Sequence, residues 1–555
     1  MDNLLASKNQ TKRKMKKIKR SICLLAAAVS LLAGLPALAQ QKAKPNILFI
    51  AVDDLKPVLG CYGDKLIQTP NIDRLAKMGT VFLSNYCQQA VCGPTRASIM
   101  TGKRPDYTQI WDLKTQMRDI NPDIVTIPQY FIGQGYTTAG IGKIYHPTSI
   151  DKQNDLPSWS IPYLKAGEHD FAAGWGEPIL VGGYQSPQTK LLVKKYMKEA
   201  AAKGLKDSAS RAYVAKFIKL SSECIDAPDN AYEDGADALI AKRQMAEMSK
   251  EKKPFFMAVG FHRPHLPFVA PKKYWDLYNR ADMPIAPFQH PSKNGVAMAY
   301  HNVGELTAYT DIEPLANEGD QKNGGLTLAI DQQKKLIHGY YASVSYTDAQ
   351  VGILLNTLDS LGITNSTIIV LWGDHGWHLG DHNLWCKHTD FEQATHAPLL
   401  IAAPGIKHTT TASATEFVDV FPTLCDLAGV KIPTNLDGKS LVPLMKNSAA
   451  SVKDFSVSQY PRSDTASETQ RLGFADAKVM GYSIRTKQYR FTIWMKDFFR
   501  STEPFNKALV AGSELYDYKK DPNETVNVVN DKKYATVYAD MYQKMLRFFT
   551  SQEKK

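Results

Sequence analysis

Two short apolar runs, "NILFIAV" (Asn46–Val52) and "TIIVLWG" (Thr367–Gly373), constrain the fold more than any other feature. Neither alternates between apolar and polar residues. A strand with one wet face would alternate, so each run reads as a strand buried on both sides, as in a parallel sheet covered by helices. Helical patterns lie between them. "TPNIDRLAKMG" offers Thr69 as a cap, Pro70 for the first turn and Gly79 to end the helix in a left-handed conformation. Gln332 to Leu361 places Tyr341, Val344, Val351, Leu355 and Leu358 on one stripe that stops at Gly362. Pro398 to Ala403 offers a further strand. Strands alternating with helices predict an α/β sheet with helices on both faces.

Both runs end in acid. Asp53 and Asp54 follow the first, and Asp374 and His375 follow the second. In such sheets ligands gather outside the carboxyl ends of the strands. Three carboxylates brought together repel unless a positive charge sits among them. A hard divalent cation bound through oxygen would serve, with calcium and magnesium both open. Taken singly, either acidic stretch is equally well a helix cap or a closed turn.

"CGPTRASIMTGKR" (Cys92–Arg104) places a thiol beside a predicted helix start. Pro94 suits the first turn and Gly102 can end a short helix after Thr101. The backbone N–H groups of such a start favour an anion, a thiolate included.

The first 39 residues read as an export signal. Lys12 to Arg20 is strongly basic, Ile22 to Leu35 is apolar, and Ala37-Leu38-Ala39 is a cleavage motif. This segment holds eight Lys or Arg and one acid, so the remainder carries 59 basic and 54 acidic residues, a net +5 in place of +12. That mild excess does not argue for nucleic acid. No second long apolar stretch follows, so no stable membrane span is expected once the signal is removed, and the product is expected to be periplasmic or secreted. Cys61, Cys87, Cys92, Cys224, Cys386 and Cys425 remain, in no zinc-binding spacing, which leaves one disulfide or none.

The mature length exceeds one ordinary core, so a large domain (40–448) and a smaller one (449–555) are expected. Residues 150–250 are less regular. A basic helical segment (Leu191 to Ala202) and a helix (Ala236 to Met248) read there as parts of a solvated surface insertion. "VMGYSIRTKQYRFTIWM" alternates like an antiparallel hairpin, and Lys533 to Thr550 reads as a terminal helix, together a small α+β subdomain.

Cys92-x-Pro94-x-Arg96 followed by Thr101-Gly102 resembles the signature of the type I, formylglycine-dependent sulfatases. The resemblance spans nearly all the mature chain. It is strongest to the iduronate-2-sulfatase branch, in "DDLKPVLGCYGD", "GKIYHP", "PFFMAVGFHRPHLPF", "YYASVSYTDAQVG" and "DHGWHLGDHNLWCK". It implies an alkaline-phosphatase-like, mostly parallel sheet in a catalytic domain, followed by the smaller antiparallel one. It implies that a maturation enzyme oxidises Cys92 to formylglycine. Asp53, Asp54, Asp374 and His375 would surround a calcium, or a magnesium, with modified Cys92 facing it. Arg96 would hold the hydrated aldehyde, with Lys143 and His146 on its other side. His262 and Lys387 would reach the sulfate ester, and His265 is the weaker candidate of its pair. The implied substrate is a sulfated oligosaccharide bearing 2-O-sulfate on a uronic acid, in heparan, dermatan or chondroitin-type chains. Another sulfated polysaccharide, or a phosphonate or phosphate ester, stays open, and a non-catalytic glycan binder would need an unmodified Cys92. His378, beside Trp377, departs from the pattern and could reshape the sugar pocket.

Overall fold

The apolar runs are strands, and they lie side by side. The computed structural model describes residues 8, 10–17, 44–150, 154–164, 169–179, 183–301, 303–315, 326–462 and 478–553. The chain divides into two units. In Met1–Lys44, residues 10–17 are helical; the expected apolar run and cleavage motif lie outside the described residues. No helix among the described residues is long and apolar enough to cross a membrane.

In Pro45–Lys555 the central sheet has seven strands: β1 (Asn46–Val52), β2 (Thr80–Phe82), β3 (Thr137–Gly142), β4 (Phe255–Phe261), β5 (Thr367–Gly373), β6 (Leu399–Ala402) and β7 (Thr409–Thr411). Their order is β7-β2-β6-β5-β1-β4-β3. β1 pairs in parallel with β4 on one side and β5 on the other, and β3 and β7 also pair in parallel with their neighbours. Only β6 runs against its two neighbours.

The lack of alternation in β1 has a direct cause. Leu48, Ile50 and Val52 enter one buried cluster, while Ile47, Phe49 and Ala51 enter another across the sheet. β5 divides in the same way, Ile369 and Leu371 against Ile368, Val370 and Trp372. Helices cover both faces, so neither set of side chains meets water. α1 (Pro70–Met78), α3 (Glu233–Met248) and α4 (Ile330–Ser360) feed the first cluster, and α2 (Cys92–Thr101) feeds the second.

Two local expectations are corrected. Gly79 does not end α1 in the left-handed region; its φ is −149° and Thr69 makes no side-chain cap bond. A Cβ on Gly79 would lie 2.3 Å from the Ile401 carbonyl, so the glycine is there to let β6 pass close by. Second, α3 is no surface element: it buries Ala236, Ala238, Ile240, Ala241 and Met245 against the sheet and α4. The helix at Pro187–Ala202 is largely exposed, as expected, with Leu191 at 68%.

A second sheet is antiparallel: β8 (Ser456–Arg462), β9 (Val479–Arg485), β10 (Tyr489–Met495) and β11 (Val510–Asp517), in chain order. One face packs Tyr482, Ile484, Phe491 and Ile493 on Met541, Met545 and Phe549 of α5 (Ala535–Gln552). The other face sends Val479, Trp494 and Tyr516 into the larger core. The six described cysteines are free thiols.

Candidate active site

The ends of β1 and β5 lie next to each other, which brings their acids together. Asp374 N–H donates to the Val52 carbonyl, and Asp54 N–H donates 2.9 Å to Asp374 Oδ1. Asp54 holds φ +56°, a left-handed value that costs a non-glycine residue about 1–3 kcal/mol. The Tyr340 hydroxyl, from α4, donates 2.8 Å to the Asp54 carbonyl and accepts from Lys56 N–H at 2.9 Å, fixing that turn.

Cys92 is the first residue of α2. Its sulfur lies 3.4 Å from His375 Nε2 and 3.8 Å from Asp54 Oδ1. One helical turn on, Arg96 projects from the same face and is wholly buried. Its guanidinium donates to Asp53 Oδ1 at 2.9 Å, Asp374 Oδ2 at 3.1 Å and the Ile144 carbonyl at 3.1 Å. Lys143, just past β3, pairs with the other oxygen of Asp53. Lys387 enters from the opposite side, 3.0 and 3.1 Å from the two oxygens of Asp54 and 2.9 Å from Glu305. Its neighbours Cys386 and His388 both hold positive φ, 70° and 67°, so the backbone that presents this lysine is strained.

The electrostatics are tightly opposed. Burial alone would raise the Asp53 pKa, but Lys143 and Arg96 hold it well below the carboxylate range. Burial pushes Asp54 well above that range; Lys387 opposes this, while Asp53, Glu305 and Asp374 add to it. The Cys92 thiol is also pushed up, by burial and then by Asp53. The helix start therefore does not make a thiolate here; desolvation beside carboxylates outweighs it. Burial lowers His375 to about 4, so its imidazole is neutral at ordinary pH and free to act as a ligand.

Asp54, Cys92, Asp374 and His375 place ligand atoms within 4.8 Å of one another, and so do Asp53, Asp54, Cys92 and His265. Three fully buried carboxylates, one of them held against ionisation, fit a hard dication that would relieve that charge.

Of the residues expected in the site, Asp53, Asp54, Cys92, Arg96, Lys143, Asp374, His375 and Lys387 meet. His146 lies at the edge, its Nδ1 3.0 Å from Thr148 Oγ1; burial and then Lys143 lower its pKa to about 3. His262 is corrected. Its ring turns to α3, with Nδ1 3.4 Å from Asp234 and 3.9 Å from Glu233, because Asp234 accepts the backbone N–H groups of His262 and Arg263 and pins the loop start. His265 takes the place beside the cluster, 3.7 Å from Asp54 and 3.5 Å from Glu305. Glu305 was not foreseen. It stands alone in "NVGELTAY", with no pattern to mark it, yet it binds Lys387 and His388. His378 is fully buried, bonded to Thr389 and packed on Phe391, so it does not face a sugar pocket.

The sulfatase family model matches residues 45–430, and the model of the N-sulphoglucosamine sulphohydrolase C-terminal region matches 380–551. The chain is 33% identical to human iduronate 2-sulfatase over 88% of its own length and 92% of that protein's. It is 30% identical to a sulfatase of Formosa agariphila, covering 88% and 84% of the two chains. Among solved structures, a 2-O glycosaminoglycan sulfatase superposes with TM-score 0.61 at 20% identity, covering 92% of this chain and 93% of that one. The phosphonate monoester hydrolase of Agrobacterium radiobacter superposes with TM-score 0.64 at 22% identity, covering 92% and 96%. These two share the fold. With the family model spanning most of the chain, and with relatives of this identity along nearly all of it, the protein belongs to the sulfatase family and is a sulfuric ester hydrolase.

Proposed function

We propose that the protein is an exported, exo-acting sulfatase of sulfated glycans that removes 2-O-sulfate from uronic acid residues of heparan, dermatan or chondroitin-type chains. The observation that carries the reading is Cys92 at the head of α2, its sulfur between Asp54 and His375, in a chain similar to iduronate 2-sulfatases along most of its length.

Cys92 would enter this chemistry as formylglycine, made by a separate maturation enzyme, whose hydrate would supply the nucleophilic hydroxyl for attack on sulfur. Asp53, Asp54, Asp374 and His375 would hold a divalent cation, calcium before magnesium, which would supply charge to offset the sulfate oxygens. Lys143 and Lys387 add two positive charges in a buried setting, where their field counts for more than in water. Arg96 orients Asp53, Asp374 and the residue 92 side chain. His265 is placed to protonate the leaving sugar oxygen; burial and then Lys387 lower its pKa in the free enzyme, so the bound, negatively charged ester has to raise it for that step. His146, kept neutral by burial and then by Lys143, would take the proton of the second hydroxyl so that sulfate can leave.

The test is a panel of defined disaccharides. It carries 2-O-sulfate on iduronate, glucuronate or a lyase-derived unsaturated uronate, set beside 6-O- and N-sulfated comparators and a phosphonate monoester. Release of sulfate from the 2-O position is expected. Release only from other positions, or faster cleavage of the phosphonate, contradicts the assignment.

A further inference from the structure

A second group of ligating side chains meets next to the first, at the start of α3. Glu233 and Asp237 stand one helical turn apart on one face of that helix. His262, immediately after β4, turns towards them, and Glu233, Asp237 and His262 place donor atoms within 4.8 Å of one another. His169 approaches from the other side, its Nδ1 2.8 Å from Asp237 Oδ1.

Acids in the first turn of a helix are ordinary, since they offset the dipole. The unpaired atoms are not. Asp237 is 0% exposed, yet neither of its carboxylate oxygens has a hydrogen-bond partner among the described residues. The Nδ1 atoms of His169 and His262 are buried too, each beside a carboxylate, Asp237 at 2.8 Å and Asp234 at 3.4 Å, without an aligned hydrogen bond. Aligning His169 on Asp237 would satisfy one oxygen and leave Asp237 Oδ2 and His262 Nδ1 as they are. Buried polar atoms are nearly always paired, so several orphans facing one point call for a missing partner. Asp237 Oδ2 keeps a free lone pair at a point shared with Glu233 and His262, and an acceptor of lone pairs is a cation.

We propose that Glu233, Asp237 and His262, with His169 as fourth donor, form a second metal site that takes a zinc-like divalent ion in preference to calcium. Nitrogen donors suit zinc, whereas calcium favours an all-oxygen shell of six or more. Tetrahedral ligands of an ion at about 2.1 Å are about 3.4 Å apart, inside the 4.8 Å within which these donor atoms lie. Glu233 is partly exposed, which gives the ion a way in. An ion there ties α3 to the loop that also carries His265, so it braces the imidazole beside the ester. The site does not depend on which ester is cleaved.

The experiment uses the full enzyme under excess calcium, which keeps the Asp53–Asp54–Asp374 cluster filled. Zinc is titrated and metal content per chain is measured after desalting, with an anomalous diffraction map at the zinc edge to place the ion. One zinc per chain, within about 2.2 Å of His262 and Asp237, is expected. His169→Ala and Asp237→Asn should each weaken zinc binding at least tenfold while calcium content stays at the wild-type value. His169→Ala, on a partly exposed loop, serves where the buried change impairs folding. No bound zinc, zinc held equally by both variants, or zinc found in place of calcium overturns the proposal.

Discussion

The Lys387 ammonium is shared between Asp54 and Glu305, 3.0 and 2.9 Å away. One partner belongs to the ion-binding cluster and the other does not, so Glu305 can hold the lysine in place when Asp54 turns to a cation. Burial alone would lower the Lys387 pKa, but the two carboxylates and Cys92 raise it well above its usual value, which keeps it charged. Lys387→Ala should lower kcat/KM on a sulfate ester by about 10²–10³, the cost of removing one preorganised charge. Glu305→Gln should lower it less, about tenfold, because the charge remains and only its placement loosens. Steady-state rates of the two variants check the order; a Glu305 variant as impaired as the lysine variant contradicts it.

The choice between the two loop histidines is open to a leaving-group test. An acid matters for a poor leaving group such as a sugar alcohol, and hardly matters for a nitrophenolate. His265→Ala should lose about 10²–10⁴ in kcat on a sugar sulfate and far less on an aryl sulfate with an acidic phenol. If that selective loss instead follows His262, the assignment of His265 fails.

Removal of the ion should abolish turnover and soften the fold. The carboxylates repel without a cation, and a bound ligand stabilises the native state by about 2.7 kcal/mol at a hundred times its dissociation constant. Chelation should therefore lower the melting temperature, and added calcium should restore both stability and rate better than magnesium does. Calcium affinity should fall on acidification, since Asp54 must lose a proton to bind and its pKa is raised. Calcium titrations at several pH values read this directly; an affinity independent of pH counts against the site.

A structural ion pair ties the segment after α2 to the antiparallel sheet. Arg104 lies 2.8 Å from Glu416, Lys453 lies 2.6 Å from it, and Glu416 accepts the Val457 N–H at the start of β8. Burial alone would raise the Glu416 pKa, but Arg104 and Lys453 bring it down to about 2. A depressed carboxylate stabilises the fold above its unfolded pKa, near 4.3, and that contribution is lost as pH falls towards 2. Its size is about 3 kcal/mol. Glu416→Gln should lower the unfolding free energy measured in urea at pH 7 by an amount of that order, and should flatten the loss of stability between about pH 4 and 2. An unchanged acid limb in the variant contradicts the pairing.

The strands that carry the acids were legible because burial on both faces leaves no room for polar residues, and Cys92, Pro94 and Gly102 mark the ends of α2 by local chemistry alone. β8 was not legible. Its "SVSQYPR" holds few residues that favour strands, and Pro461 is tolerated because the strand lies at the sheet edge. Gly79 misled for a related reason: a glycine after a helix is ordinarily a left-handed stop, whereas here a strand some 320 residues later needs the space. Which of His262 and His265 faces the cluster depends on Asp234 holding the loop from another helix, a contact that spacing does not encode. Glu305 reaches the site only through the packing of its short helix beside Lys387.

The most direct measurement is the mass of the peptide that contains residue 92, taken from protein exported by a host with a formylglycine-generating enzyme and shown to cleave a sulfate ester. The expected mass is that of the cysteine peptide less H₂S plus one oxygen, with the Cys92→Ser variant losing turnover. An intact cysteine in protein that turns over sulfate esters, or full steady-state activity in the serine variant, removes the aldehyde and with it the account of this site.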